Sequence, residues 1–370
     1  MKKRIFIITI CFILFAVSLT GCSSTPPETT AAPETTTTTT ASGDAPKEPF
    51  HVSITAGRPG DTWYVLSHAL ATFINERSDW LTADVVATAG VTDNTRMLMG
   101  DDKSVRGTHL NVTMLPGATV WGDGEYMPLQ VGMLCMLNET FVTLDPSIKT
   151  LADFSGKTIS LPRDVPEGYA FIFKNMIELA GATDFNIIHG GTGDRLTALR
   201  DGAAVVGTLP FDFYYPNEYA LSSQLLEYSA RGTLYYPNQG NLDENLDLIE
   251  EACKTDPFVG SSELPALGMI APANSLGETQ TEDMTYVSTP IYWSAGIEMP
   301  EDVVYEITRI LYEAAENGDF IPYHAMGKGI TTEFIGMSFW ADEQERLSMF
   351  HPGALKFYQE MGVELKTFLD

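Results

Sequence analysis

The chain has 370 residues, with 22 Lys and Arg against 49 Asp and Glu, and a formal charge of −27. That sign counts against a nucleic-acid groove or a patch for anionic membranes. With 44% hydrophobic and 19% charged residues the chain can bury a large core, and its length predicts about two domains. Four cysteines, none in a Cys-x-x-Cys pair, exclude a disulfide-stapled fold and a structural zinc site.

The N-terminus reads as an export signal. Lys2, Lys3 and Arg4 form a basic n-region, and the apolar run Ile5 to Val17 is short for a membrane span. It ends in Leu19-Thr20-Gly21-Cys22, which resembles the lipobox of bacterial lipoproteins. The resemblance implies a leader over residues 1–21, removed by cleavage, and diacylated Cys22 as the site of lipid attachment. An uncleaved signal anchor is the alternative. Losing Lys2, Lys3 and Arg4 would take the charge from −27 to −30. Residues 22–48 are rich in Thr and Pro, with six consecutive threonines at Thr35 to Thr40, and read as a solvated tether.

Order is expected from Phe50. Phe50 to Thr55 alternates like a strand, Ala56 to Thr62 is a Gly/Pro turn, and Trp63 to Arg77 has helical spacing at Tyr64, Leu66, Leu70, Phe73 and Ile74. Asp84 to Thr88 predicts a second strand, Ala89 to Thr92 a turn into a helix carrying Asn94, and Leu110 to Met114 a third strand. The β-loop-α pattern restarts at Thr150 to Lys157, with a strand at Thr158 to Leu161 and a helix at Ala170 to Ala180. Asn186 to His189 is a short strand, Gly193 to Asp201 a helix, and Ala203 to Thr208 a strand ending at Pro210. Between Leu234 and Thr285 the signals are mixed, apart from a helix at Leu242 to Cys253. Tyr286 to Trp293 reads as a strand. Pro300, Glu301 and Asp302 then head an amphipathic helix, Val303 to Glu316, and His351-Pro352-Gly353-Ala354 turns into a last helix. Repeated β-loop-α units predict parallel sheets with helices on their faces.

Five segments in this order resemble the TAXI family of extracytoplasmic solute receptors, the binding subunits of TRAP transporters. They are Ile54 to Tyr64, Ala87 to Arg96, Leu151 to Lys157, Pro300 to Thr308, and His351 to Ala354 with Tyr358. The resemblance runs from about Phe50 to the C-terminus. It implies an α/β, two-domain type II periplasmic-binding-protein fold, each domain a mostly parallel sheet flanked by helices, with the ligand cleft between them. Residues 49–145 and 287–370 would form domain 1 and residues 146–286 domain 2, closing by a hinge motion. Three positions depart from the family's pattern: charge at Arg58 and Asp61, the segment Pro162 to Gly168, and Met114 at the end of the third strand. These leave the identity of the solute open.

In such a fold the loops after the strands converge on the cleft, and helix starts offer N–H groups to an anion. Candidate ligand-binding residues are therefore Arg58, Thr62, Trp63 and Tyr64 in the first loop and helix start, Gly90 and Asn94 in the second, and Met114 after the third strand. Arg163 and Gly168 represent the opposing domain, joined by Pro210, Phe211 and Trp293. Arg58 reads equally as a bidentate partner for a ligand carboxylate or as a salt bridge to Asp61, and Arg163 has Asp164 as its competing partner. The aromatic residues read as pocket wall or as core. His109 and His189 lack a second ligand at metal spacing, so no metal and no cofactor is expected. Cys135 and Cys253 read as separate buried thiols, a bridge between them being the alternative.

The chain shows no Gly-x-Ser-x-Gly, His-Glu-x-x-His or phosphate-loop motif, so no catalytic residues are expected. The expectation is a lipid-anchored receptor on the extracytoplasmic face of the cell membrane. It would capture a small organic acid, a carboxylate or amino-acid-like anion, for a TRAP-type permease. The alternatives are a ligand-sensing lipoprotein for a histidine kinase and a secreted hydrolase.

Overall fold

A computed structural model describes residues 47–114, 127–163, 170–254 and 266–368. Cys22, Gly168, Asp164, the leader and all but the last two residues of the tether lie outside them. In chain order the elements are β1 (Phe50–Gly57), α1 (Thr62–Arg77), β2 (Leu81–Ala87), α2 (Val91–Met99), α3 (Lys103–Thr108), β3 (His109–Thr113) and β4 (Leu129–Thr143). There follow β5 (Thr158–Leu161), α4 (Ala170–Leu179), β6 (Asn186–His189), α5 (Thr192–Arg200), β7 (Val206–Tyr214), β8 (Glu218–Ala220), α6 (Ser223–Ser229) and α7 (Leu242–Lys254). The last are β9 (Leu267–Ala271), β10 (Met284–Ala295), α8 (Glu301–Asn317), α9 (Glu343–Ser348) and α10 (Pro352–Met361).

The architecture is α/β, a ten-stranded sheet flanked by helices, ordered β2-β1-β3-β10-β4-β7-β5-β6 with β8 on β7 and β9 on β10. Both ends of this order are parallel, β2 and β3 on β1, β6 and β7 on β5. The middle is antiparallel and is made by two long strands, β4 and β10. Both change neighbours along their length. Residues 129–137 of β4 face β10, and residues 138–143 face β7. On β10, residues 284–288 pair with β9 and residues 289–295 with β4.

Core composition follows the same division. Val52, Leu66, Leu110, Val131, Leu134, Trp293, Ile307 and Tyr358 belong to one buried cluster, which lies under α1, α8 and α10. Phe141 and Val287 belong to a second cluster with β5, α4 and α7, and the adjacent Val142 and Tyr286 to a third with α5 and α6. Neighbouring residues of a strand point to opposite faces, so the second and third clusters cover the two faces of the β5–β7 end. The chain passes from the first cluster to the others within β4 and back within β10.

Local signals explain most helices. In α8 the buried stripe is Val303, Val304, Ile307, Ile310, Leu311 and Ala314, with Glu301 and Asp302 in the first turn and left-handed Gly318 at the end. The turn at Thr150 to Phe154 is fixed by Asp153, whose carboxylate accepts the Lys149 and Thr150 N–H groups at 3.0 and 2.9 Å. Two expectations shift. β2 begins at Leu81 rather than Asp84, because Leu81 is buried in the first core. β7 runs through Pro210 to Tyr214, since Pro210 falls between the stretch paired with β5 (206–207) and that paired with β8 (212–214). The Pro210 carbonyl accepts the Ser222 hydroxyl at 2.6 Å, so its polar side faces this gap, where no strand requires an N–H.

Cys135 lies in the first core and Cys253 in the second, both free, and burial pushes each thiol up to about 12. His351 is wholly buried at the start of α10, its Nδ1 accepting the Gly353 N–H at 3.2 Å. Burial lowers its pKa to about 4. An unfolded chain therefore binds this proton near pH 6.5 and the folded chain only near 4. The neutral imidazole's stability is fully present above pH 6.5 and is lost as pH falls to 4, a total of about 3 kcal/mol. Urea unfolding across this range should show the loss in the wild type. His351→Asn, which keeps a cap acceptor, should lack that increment, and an equal loss in both would assign it elsewhere.

Candidate functional site

The ends of β1, β2, β3, β5 and β6 open on one cleft of about 850 Å³. The loop after β1 contributes Arg58, Asp61 and Trp63. Here Gly57 has φ +127°, and a Cβ on it would meet Trp63 Cδ1 at 2.9 Å, so glycine lets the indole fold over the strand end. The loop after β2 contributes Ala89 to Asp93 and Arg96, turning at Gly90 with φ +145°. Met114 follows β3. From the other end of the sheet come Pro162 and Arg163 after β5, and Gly190 to Arg195 after β6, while Leu137 and Glu139 of β4 lie between.

Of the expected ligand contacts, Arg58, Trp63, Gly90, Met114 and Arg163 are brought together on this cleft. Gly168 lies outside the described residues, and the others are placed differently. Thr62 reaches His324 Nε2 at 3.5 Å, and burial holds that imidazole below its ordinary pKa. Tyr64 packs on the first core, edge-on to His68. Asn94 is wholly buried and its amide donates to the Thr55 and Val112 carbonyls at 3.2 and 3.0 Å, tying β1 to β3. Phe211 stacks edge-on against Tyr286 inside the third core, beside Pro210 in the strand. Trp293 is wholly buried and donates from Nε1 to Ser67 Oγ at 3.2 Å.

Although the chain is strongly acidic, the cleft lining is charge-balanced, with Arg58, Arg96, Arg163 and Arg195 against Asp61, Asp93, Glu139 and Asp194. The cations differ in what they already hold. Arg195 makes a bidentate pair with Glu139 at 2.6 and 2.7 Å and also donates to the Thr208 carbonyl and hydroxyl at 2.9 and 2.6 Å. Both charged side chains are buried, 3% and 1% exposed. Arg96 lies 3.9 Å from Asp93, and Arg163 lies 3.9 Å from Asp194. Asp61 accepts the backbone N–H of Arg58 at 3.0 Å, while the Arg58 guanidinium makes no ion pair among the described residues. The Glu139–Arg195 pair was not anticipated. Its members stand 56 residues apart on β4 and α5, and no local pattern joins them.

Among the described residues no cluster of His, Cys, Asp or Glu could hold a metal ion, and no helix is long and apolar enough to cross a membrane.

Residues 261–362 match the NMT1-like family. Over most of its length the chain is similar to solved solute-binding proteins. One is described as the putative sulfonate ABC transporter periplasmic sulfonate-binding protein SsuA from Methylobacillus flagellatus KT, at 12% identity, covering 85% of this chain and 88% of that one, TM-score 0.45. Another is a TctC solute-binding protein from Polaromonas, at 12% identity, with 86% and 99% covered and a TM-score of 0.45. A third is the probable amino-acid ABC transporter extracellular-binding protein ytmK from Bacillus subtilis, at 10% identity, with 75% and 96% covered and a TM-score of 0.40.

Proposed function

We propose that this protein is a lipid-anchored extracytoplasmic solute receptor, attached through Cys22, that captures a small organic anion and delivers it to a TRAP-type permease. The observation that carries the reading is Arg58, a guanidinium without an ion pair among the described residues, at the edge of a cleft built from strand ends. Such a group can grip a carboxylate with two parallel hydrogen bonds. The starts of α1 and α2 beside it carry no side-chain cap bond, leaving N–H groups to add to the grip. Trp63, Met114 and Leu137 offer apolar surface for the body of the ligand.

Residues 49–145 with 287–370, and residues 146–286, act as two domains that close over the ligand. The hinge lies where β4 and β10 exchange neighbours. The protein is a binding subunit, not an enzyme.

The purified protein should gain thermal stability with one or more members of a panel of carboxylates, amino acids and amides. Saturation at a hundredfold excess over Kd adds about 2.7 kcal/mol. Arg58→Ala should weaken the responding carboxylate about 10- to 100-fold, the loss of a charge-assisted contact of about 1.5–3 kcal/mol. Titration calorimetry reads this directly. A silent panel, or an affinity untouched by Arg58→Ala, would sink the reading.

A further inference from the structure

The two sides of the cleft differ in the anion position they leave open. On the β1–β3 side stands Arg58, its guanidinium outside any ion pair among the described residues. On the β5–β6 side three groups converge. The Gly191 N–H, at the start of α5, donates to Asp194 Oδ2 at 3.0 Å, and the same oxygen lies 3.9 Å from Arg163 Nη2. A Cβ on Gly191 would stand 3.3 Å from Arg163 Nη2 and 3.4 Å from Asp194 Oδ2, so guanidinium, carboxylate and backbone crowd one spot. A helix start with an arginine above it is what an anionic group would seek. Here a carboxylate of the chain already sits there.

The other cation on this side, Arg195, is bound bidentately to buried Glu139. A second ligand carboxylate reaching across the cleft would therefore meet Asp194 and Glu139 with their cations already engaged. Thr192 and Gln224 also line this side and suit an uncharged polar end.

Resting on the reading of the cleft as an organic-anion site, we propose that Asp194 sets its charge selectivity. By filling the second anion position with its own carboxylate, it makes the site take a carboxylate whose far end is uncharged, and turn dicarboxylates away. Two like charges about 6 Å apart, at a dielectric between protein surface and water, differ from a charge and a neutral amide by about tenfold in affinity. Asp194 is 72% exposed, which keeps the figure at that modest size.

The test is calorimetric titration of the purified protein at pH 7.5 and fixed ionic strength with two matched pairs, pentanoate against glutarate and glutamine against glutamate. In the wild type the member with one fewer carboxylate group should bind more tightly. In Asp194→Asn the ratio of glutarate to pentanoate affinity, or of glutamate to glutamine, should rise about tenfold. Arg163→Gln leaves Asp194 without its cation and should lower the same ratio, which keeps the test open if the first variant folds poorly. A wild type that prefers glutarate or glutamate, or a ratio that stays fixed in either variant, overturns the role of Asp194 while leaving the receptor reading standing. Silence of all four probes together with the wider panel overturns the receptor reading and this inference with it.

Discussion

Arg195→Met is expected to destabilise the folded protein by about 3–5 kcal/mol, because it takes from the Glu139 carboxylate, 1% exposed, the guanidinium that binds it bidentately. The cost comes from the charge left behind more than from the attraction lost. A buried pair balances a large desolvation penalty against a large Coulombic gain, and removing one member keeps the penalty alone. The double variant Glu139→Leu with Arg195→Met should therefore be more stable than Arg195→Met, although it lacks both groups. Urea unfolding of the two variants and the wild type measures the difference. If the double variant were the less stable of the two, the carboxylate left behind would carry no penalty and the desolvation argument would fail. Arg195 also holds the Thr208 carbonyl and hydroxyl, so the start of α5 and the floor of the cleft should loosen together.

Trp293→Ala should cost a similar amount, about 3–5 kcal/mol, the usual range for emptying a large aromatic site. The indole is wholly buried against Phe320 and donates to Ser67, and little around it can collapse into the space, since β3 and β4 flank its strand on both sides. Affinity for a responding carboxylate, measured on the folded fraction, should stay unchanged. A specific loss of affinity would return Trp293 to the pocket wall.

These two residues show what a linear reading can and cannot reach. The turns after β1 and β2 are legible as Gly-rich breaks between strand and helix signals, and it is the fold implied by the family resemblance that gathers Arg58, Gly90, Met114 and Arg163 at one cleft. Trp293 could not be separated from a cleft residue. Every position from Met284 to Ala295 is buried, so that strand carries no alternation to say which face meets a ligand. β4 was silent for the same reason, since its interior from Gln130 to Thr143 is almost wholly buried on both faces and is not broken by a turn. Glu139 lies inside that silent stretch, and its partner belongs to a helix that looks like any solvated one. A buried charge pair is a property of the assembled fold, and its cost and its benefit exist only once strand β4 and helix α5 are both in place. Asp194 was hidden differently. It reads as an ordinary first-turn acid until Arg163 is seen to lie across it.

The gap along β7 has a further consequence. Between the stretches held by β5 and β8, the Thr208 carbonyl is taken by Arg195 and the Pro210 carbonyl by Ser222, and at Pro210 there is no donor at all. An extended peptide recruits a sheet by adding itself as one more strand, which requires a run of unmatched carbonyls and N–H groups. Beside this cleft the run is interrupted in both senses. A polypeptide lying along this part of β7 would find no continuous ladder to join between Thr208 and Pro210.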